Sequence, residues 1–221
     1  MTAAGKEVIL VPGLWYGPWS MSVIALRLRK LGYCVSYFAY RSTKVTPEDC
    51  AESLAELTRA TPAGAPHLVG HSMGGLVILR MLAMSDAPPA GRVVLLGTPI
   101  QGSEAARRAL QLPGGGALLG DAADILCEGS QGLDGSRAVG MIAGSRAVGL
   151  GRVAGLKGKA SDGTVALSET ESGGLTARIA LPVSHTGMLF SSRVAREVAC
   201  FLEQGQFSPD QAAGQQQAPL R

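Results

Sequence analysis

"LVGHSMGG", Leu68 to Gly75, sets a serine between a histidine and a methionine, with glycines on both sides. The apolar "HLV" leads into it, and a helical pattern from Gly74 to Met84 leads out. In that setting Gly70-His71-Ser72-Met73-Gly74 matches G-x-S-x-G, a strand-to-helix bend that exposes its serine at the top of a sheet. A serine so held adopts a strained backbone, and Gly70, Gly74 and Gly75 relieve the crowding because they carry no Cβ. The helix N-terminus behind Ser72 favours negative charge developing nearby. The alternative is a plain βα turn in which Ser72 only caps the helix.

The surrounding pattern supports a parallel sheet independently of that motif. "VILV" (Val8 to Val11) is a continuous apolar run stopped by Pro-Gly, as in a strand covered on both faces. Ser20 to Leu31 reads as a helix closed by Gly32, and Cys34 to Phe38 as a second strand. Thr46 is the expected N-cap of the next helix, with Pro47 at its first position and acids in its first turn. Arg92 to Gly97 reads as a strand and Ser103 to about Leu112 as a helix, followed by a Gly-rich segment through Gly135. "RAVGMIAG" and "ARIALPV" are the last strands, and Ser192 to Leu202 the closing helix. Strands alternating with helices predict a mostly parallel central sheet with helices on both faces. The hexapeptide "GSRAVG" occurs at Gly135 and again at Gly144, too little for a repeat architecture.

Composition bounds the rest. The 221 residues suit one domain with a sizeable core, expected over 1–204, with a polar tail over 205–221 expected to lie outside it. Hydrophobic residues make up 46% and charged residues 17%, as in a soluble globular chain. A net charge of +3 without a Lys/Arg-rich run gives no case for nucleic acid. The four cysteines have no C-x-x-C spacing, so buried reduced thiols are expected rather than a metal site or disulfide framework. The first apolar run is too short for a signal-peptide core, and no stretch approaches the roughly 20 residues of a transmembrane helix. A cytoplasmic protein is the expectation.

A serine hydroxyl needs a base to take its proton, and the chain has three histidines. His71 lies inside the elbow and projects away from the serine. His67 opens the strand too early to reach the top of the sheet. His185, in the loop after the last strand, "LPVSHTGML", is the remaining candidate. An acid must hold the base in the right tautomer. Asp86 belongs at the far end of the helix after the serine. Asp121, Asp124 and Asp134 fall in the Gly-rich segment, and Glu169 and Glu171 read as exposed loop charges. Asp162, beside Gly163 in "SDGTVALSE", is preferred.

With these residues named, the chain resembles the α/β-hydrolases, and among them small bacterial lipases and esterases. "GHSMGG", "GTPIQGS", "SDGTV" and "SHTGML" each resemble a segment of that family, in its order of nucleophile, acid and base. The likeness spans residues 8 to about 204. It implies a serine hydrolase cleaving small-molecule or lipid carboxylic esters through an acyl-enzyme on Ser72, with no metal or organic cofactor. A thioesterase or acyltransferase would use the same residues, and a non-catalytic binding protein could keep the fold. By position the resemblance assigns the oxyanion-hole amides to Leu14 and Met73, although Pro12-Gly13 stands where the family often has His-Gly. It also places a small cap within 103–135.

"GLWYGPW", Gly13 to Trp19, puts both tryptophans and Tyr16 beside that oxyanion hole. Trp15 and His71 are the expected substrate-binding side chains, with packing an equal alternative for Trp15; Trp19 is expected to pack into the core. Arg137, Arg146, Arg152, Lys157 and Lys159 read as a solvated basic loop, the alternative being attraction of an anionic substrate or lipid headgroup.

Overall fold

The computed structural model describes residues 6–62, 64–130, 133, 135, 137–147 and 158–209. Within them one six-stranded sheet runs in the order β2-β1-β3-β4-β5-β6. Its strands are β1 (Glu7–Val11), β2 (Cys34–Tyr37), β3 (His67–His71), β4 (Val93–Leu96), β5 (Val139–Gly144) and β6 (Ala177–Leu181). Every adjacent pair is parallel. The helices are α1 (Ser22–Lys30), α2 (Pro47–Arg59), α3 (Met73–Leu82), α4 (Glu104–Leu110), α5 (Gly115–Leu119), α6 (Ala123–Glu128) and α7 (Ser192–Gln204).

Two apolar layers explain why the central strands are apolar throughout. Side chains alternate between the faces: Ile9, Leu68, Val93 and Leu95 join one core with α2, α3 and α6. Val8, Leu10, Val69, Val94 and Leu96 join the other with α1 and α7. Phe201 of α7 is among the largest fully buried side chains, and truncating such a residue to alanine typically costs about 3–5 kcal/mol. Thr46 caps α2 as expected, its hydroxyl accepting from the Asp49 amide at 3.1 Å.

Strand order positions the site. β1 is followed by β2 on one side and, next in sequence, β3 on the other. The connections therefore diverge there, leaving a crevice at the carboxyl ends of β1 and β3 where ligands of open α/β sheets bind. Pro12 to Trp15 and Ser72 follow those two ends.

Several expectations are corrected. The 103–135 segment is more helical than its glycines suggested, because the Ser103 hydroxyl caps α4 and Leu119, Ala122, Ile125 and Leu126 are buried in the core. Trp19 is 88% exposed, on a 3-10 turn over Pro18–Met21 whose one buried residue is Met21. Of the four cysteines only Cys50 is buried, and all are unpaired. The tail begins later than 205: Phe207 is buried against Phe201 at a ring distance of 5.0 Å, and the Ser208 amide donates to the Glu197 carboxylate. Arg137 donates to the Ala90 carbonyl and Lys159 pairs with Glu104, so two of the five basic residues are engaged. Asp134, Arg152, Lys157 and residues 210–221 lie outside the described residues. No helix among the described residues is long and apolar enough to cross a membrane.

Candidate active site

Ser72 heads α3 with φ 53° and ψ −125°, a conformation that a residue with a Cβ adopts only under constraint. Its amide donates to the Leu96 carbonyl at 2.8 Å, which ties the bend to β4. The side chain makes no capping bond to α3, so the capping alternative is not met and the hydroxyl is left for other work. The close packing behind it depends on Gly74, where a Cβ would overlap the Val11 and Pro12 carbonyl oxygens. A second close approach is at Gly97, with φ 55°: a Cβ there would lie 3.0 Å from Asp162 Oδ2 and 3.2 Å from His185 Nδ1.

Asp162 and His185 meet at that point. Asp162 Oδ2 accepts from His185 Nδ1 at 2.7 Å, and both side chains are buried. The other oxygen, Oδ1, accepts from the Thr164 and Val165 amides at 2.9 and 2.7 Å. The carboxylate is thereby fixed at both ends, and Nδ1, as the donor, leaves the Nε2 lone pair free to act as a base. The His185 amide adds a backbone bond to the Asp162 carbonyl at 2.9 Å. Ser72, Asp162 and His185 are thus brought to the carboxyl end of the sheet, from the ends of β3, β5 and β6.

The other candidate acids are elsewhere. Asp86 forms a surface ion pair with Arg59 beyond the far end of α3. Glu169 is buried, contrary to expectation: its carboxylate accepts from the Glu104 and Ala166 amides, fastening the Asp162 loop to α4. Burial pushes its carboxyl above the usual range, against the opposing pull of those two amides.

His71 does not line an open site. Its ring is fully buried, and Nε2 lies 3.1 Å from the His185 carbonyl oxygen. A carbonyl only accepts, so Nε2 carries the proton and donates. The Tyr16 ring packs edge-on against His71 at 5.6 Å, and the Tyr16 hydroxyl is 2.8 Å from the Thr186 hydroxyl, beside His185. Burial first, and then the nearby His185, push the His71 pKa down to about 3, so the ring is neutral at ordinary pH. The expected substrate contact becomes a support beneath the His185 loop, because a side chain with no surface cannot touch a ligand.

The loop after β1 is fastened on both sides of Leu14. The Tyr40 hydroxyl donates to the Pro12 carbonyl at 2.7 Å, and the Trp15 amide donates to the Ser42 hydroxyl at 3.1 Å. Trp15 has φ 60°, and its indole N–H donates to the Leu118 carbonyl of α5 at 3.2 Å. Among the described residues, Trp15 and Ser72 are the two non-glycines with positive φ, and both belong to this site. Met73 is the first residue of α3, so its amide has no partner within the helix. Sequence reasoning missed Tyr40 and Ser42, which follow β2 in a segment without any motif; it set Tyr16 beside the expected oxyanion hole through "GLWYGPW" but not against His71 and Thr186.

No curated protein matches the sequence significantly. Among solved structures, the mature lipase BlEst2 of Bacillus licheniformis superposes with a TM-score of 0.74 at 20% identity, covering 91% of this chain and 92% of that one. The metagenomic carboxyl esterase MGS0156 gives 0.75 at 18% identity, over 92% of this chain and 77% of that one. Tomato methylketone synthase I, complexed with 2-tridecanone, gives 0.61 at 15% identity, over 90% and 98%. Likeness at these identities speaks for the fold. The Alpha/beta hydrolase family model matches residues 8–197, and with the parallel sheet and its serine elbow this places the chain in the α/β-hydrolase family.

Proposed function

We propose that the protein is a serine carboxylic-ester hydrolase. The observation that carries this reading is the buried 2.7 Å Asp162–His185 bond, at the same end of the sheet as a strained serine that does not cap its helix. Ser72 Oγ attacks the ester carbonyl carbon while His185 Nε2 takes the hydroxyl proton, and Asp162 stabilises the imidazolium. The amides of Leu14 and Met73 donate to the carbonyl oxygen as it becomes an oxyanion. The tetrahedral species collapses, the C–O bond to the alcohol breaks, and His185 returns the proton to the leaving oxygen. Water then attacks the acyl-enzyme by the same route, releasing the acid and restoring Ser72. The similar lipase and esterase folds agree with an ester substrate.

Hydrolysis of a p-nitrophenyl ester series from acetate to palmitate, by wild type and Ser72→Ala, tests this reading. Turnover that disappears in the variant is expected. Turnover that survives it, or none at any chain length in folded wild-type protein, would refute the proposal.

A further inference from the structure

Beside the loop that carries Leu14 lies a shallow, open cleft of about 370 Å³, lined among others by Trp15, Tyr16, Tyr40, Arg41, Ser42 and Lys44. Trp15, on its wall, follows Gly13 by two residues, and a Cβ on Gly13 would lie 3.0 Å from the Ser72 Cβ, so the same short loop runs from the elbow to the cleft. Trp15 is 59% exposed although its amide and its indole N–H are both hydrogen-bonded. The ring is therefore pinned by its polar edge while much apolar surface stays uncovered, which suits a binding wall. The Tyr40 hydroxyl is engaged with Pro12, so that side chain is also fixed.

Beyond the indole the cleft changes character. Arg41 and Lys44 close a turn, the Lys44 amide donating to the Arg41 carbonyl at 2.9 Å, and both side chains are exposed. Among the described residues neither has an acidic partner within ion-pair distance. Asp121, whose amide reaches the Thr43 carbonyl at 3.4 Å, pairs with neither cation, and Glu48, four residues after Lys44, pairs with Arg80 instead. One lining therefore combines the apolar face of Trp15 with the two positive charges of Arg41 and Lys44.

Strand order decides which part of an ester would lie there. His185 must protonate the departing alcohol, and it arrives from the β6 flank of Ser72. The cleft lies over β1 and β2, on the opposite flank. An ester held between them turns its alcohol towards His185 and extends its acyl chain across Trp15. We propose that this cleft selects esters whose acyl chain ends in an anionic group, such as half-esters of short dicarboxylic acids. Arg41 and Lys44 meet the anion and Trp15 lies along the chain. The assignment of the acyl side rests on the ester-hydrolase reading.

The experiment compares p-nitrophenyl hydrogen glutarate with p-nitrophenyl valerate, which has an acyl chain of the same carbon number and no charge. Wild type is expected to prefer the glutarate ester in kcat/KM. In Arg41→Gln/Lys44→Gln the ratio of the two values should fall by about tenfold at low ionic strength, as two exposed charge pairs allow. Raising the salt should lower the wild-type ratio in the same direction. Turnover of both esters without a charge preference, or a preference that survives the double variant, would overturn the assignment. Calorimetric binding of the two corresponding anilides to Ser72→Ala reads the cleft apart from the chemistry. Charge-selective binding without ester turnover would refute the hydrolase reading and leave the anion-binding cleft standing, whereas no selectivity would refute the cleft.

Discussion

Ser72 and the Asp162–His185 pair sit at one end of the sheet, yet they are held by different means. The serine is held locally: β3 ends, the chain reverses at φ 53°, and α3 begins, with Gly74 admitting the backbone of β1 behind the bend. The acid and base are held by contacts between segments distant in sequence. The Asp162 loop is fastened to α4 through Glu169, and the His185 loop rests on His71 from another strand. A bend made of close backbone packing has little room to adjust. A pair hung on hydrogen bonds can lose its geometry while the fold remains.

That contrast is broken most severely at the bend. Gly74→Val places a branched side chain against the Val11 and Pro12 carbonyls and is expected to cost more than about 4 kcal/mol. Denaturant unfolding or a failure to recover soluble protein reads this directly; a variant as stable as wild type would contradict the local account. Asp162→Asn should leave the fold intact, because its oxygen can still accept from the Thr164 and Val165 amides. The new amide would turn the His185 tautomer, and kcat should fall about 10⁴-fold. Equal losses of stability and activity there would erase the distinction between the two regions.

Smaller effects sharpen the comparison. Ser42→Ala frees the Trp15 amide and loosens the peptide that bears Leu14. We expect kcat to fall about tenfold with KM little changed, since a misplaced oxyanion donor acts on the transition state. Ser42→Thr, which keeps the hydroxyl, should recover most of the rate; a change confined to KM would argue against the oxyanion role.

His71 supplies the mildest test. Its pKa of about 3 in the fold lies below the 6.5 of a free imidazole, so the unfolded chain binds the extra proton first. Stability from this group is present above about pH 6.5 and is lost as the pH falls towards 3, by about 2 kcal/mol between pH 7 and 5. His71→Gln keeps a donor for the His185 carbonyl without the titration. Its unfolding free energy should decline less than wild type over that interval; parallel curves would show that the buried neutral ring is not the cause.

The same division governs how much could be read from the sequence. The elbow, the caps of α2 and the apolar strands were legible because each follows from neighbours in the chain. His185 was reached by elimination among three histidines and Asp162 through its tight Gly163 turn, and the structure brings those two together. Glu169 was read as an exposed charge because nothing near it in sequence reveals the Glu104 amide that it accepts from. Trp19 was read as buried, as an anchor for the helix that follows it, while the fold turns it to solvent. Tyr40 and Ser42 gave no signal, since their partners lie about 27 residues away on β1's loop.

The most direct test of the central claim is covalent labelling with an active-site-directed fluorophosphonate, located by peptide mass spectrometry. One modified residue, Ser72, is expected in wild type, with much slower labelling in His185→Ala and none in Ser72→Ala. Folded wild-type protein that takes no label, or carries it on another residue, would contradict the assignment of Ser72 as a nucleophile activated by His185.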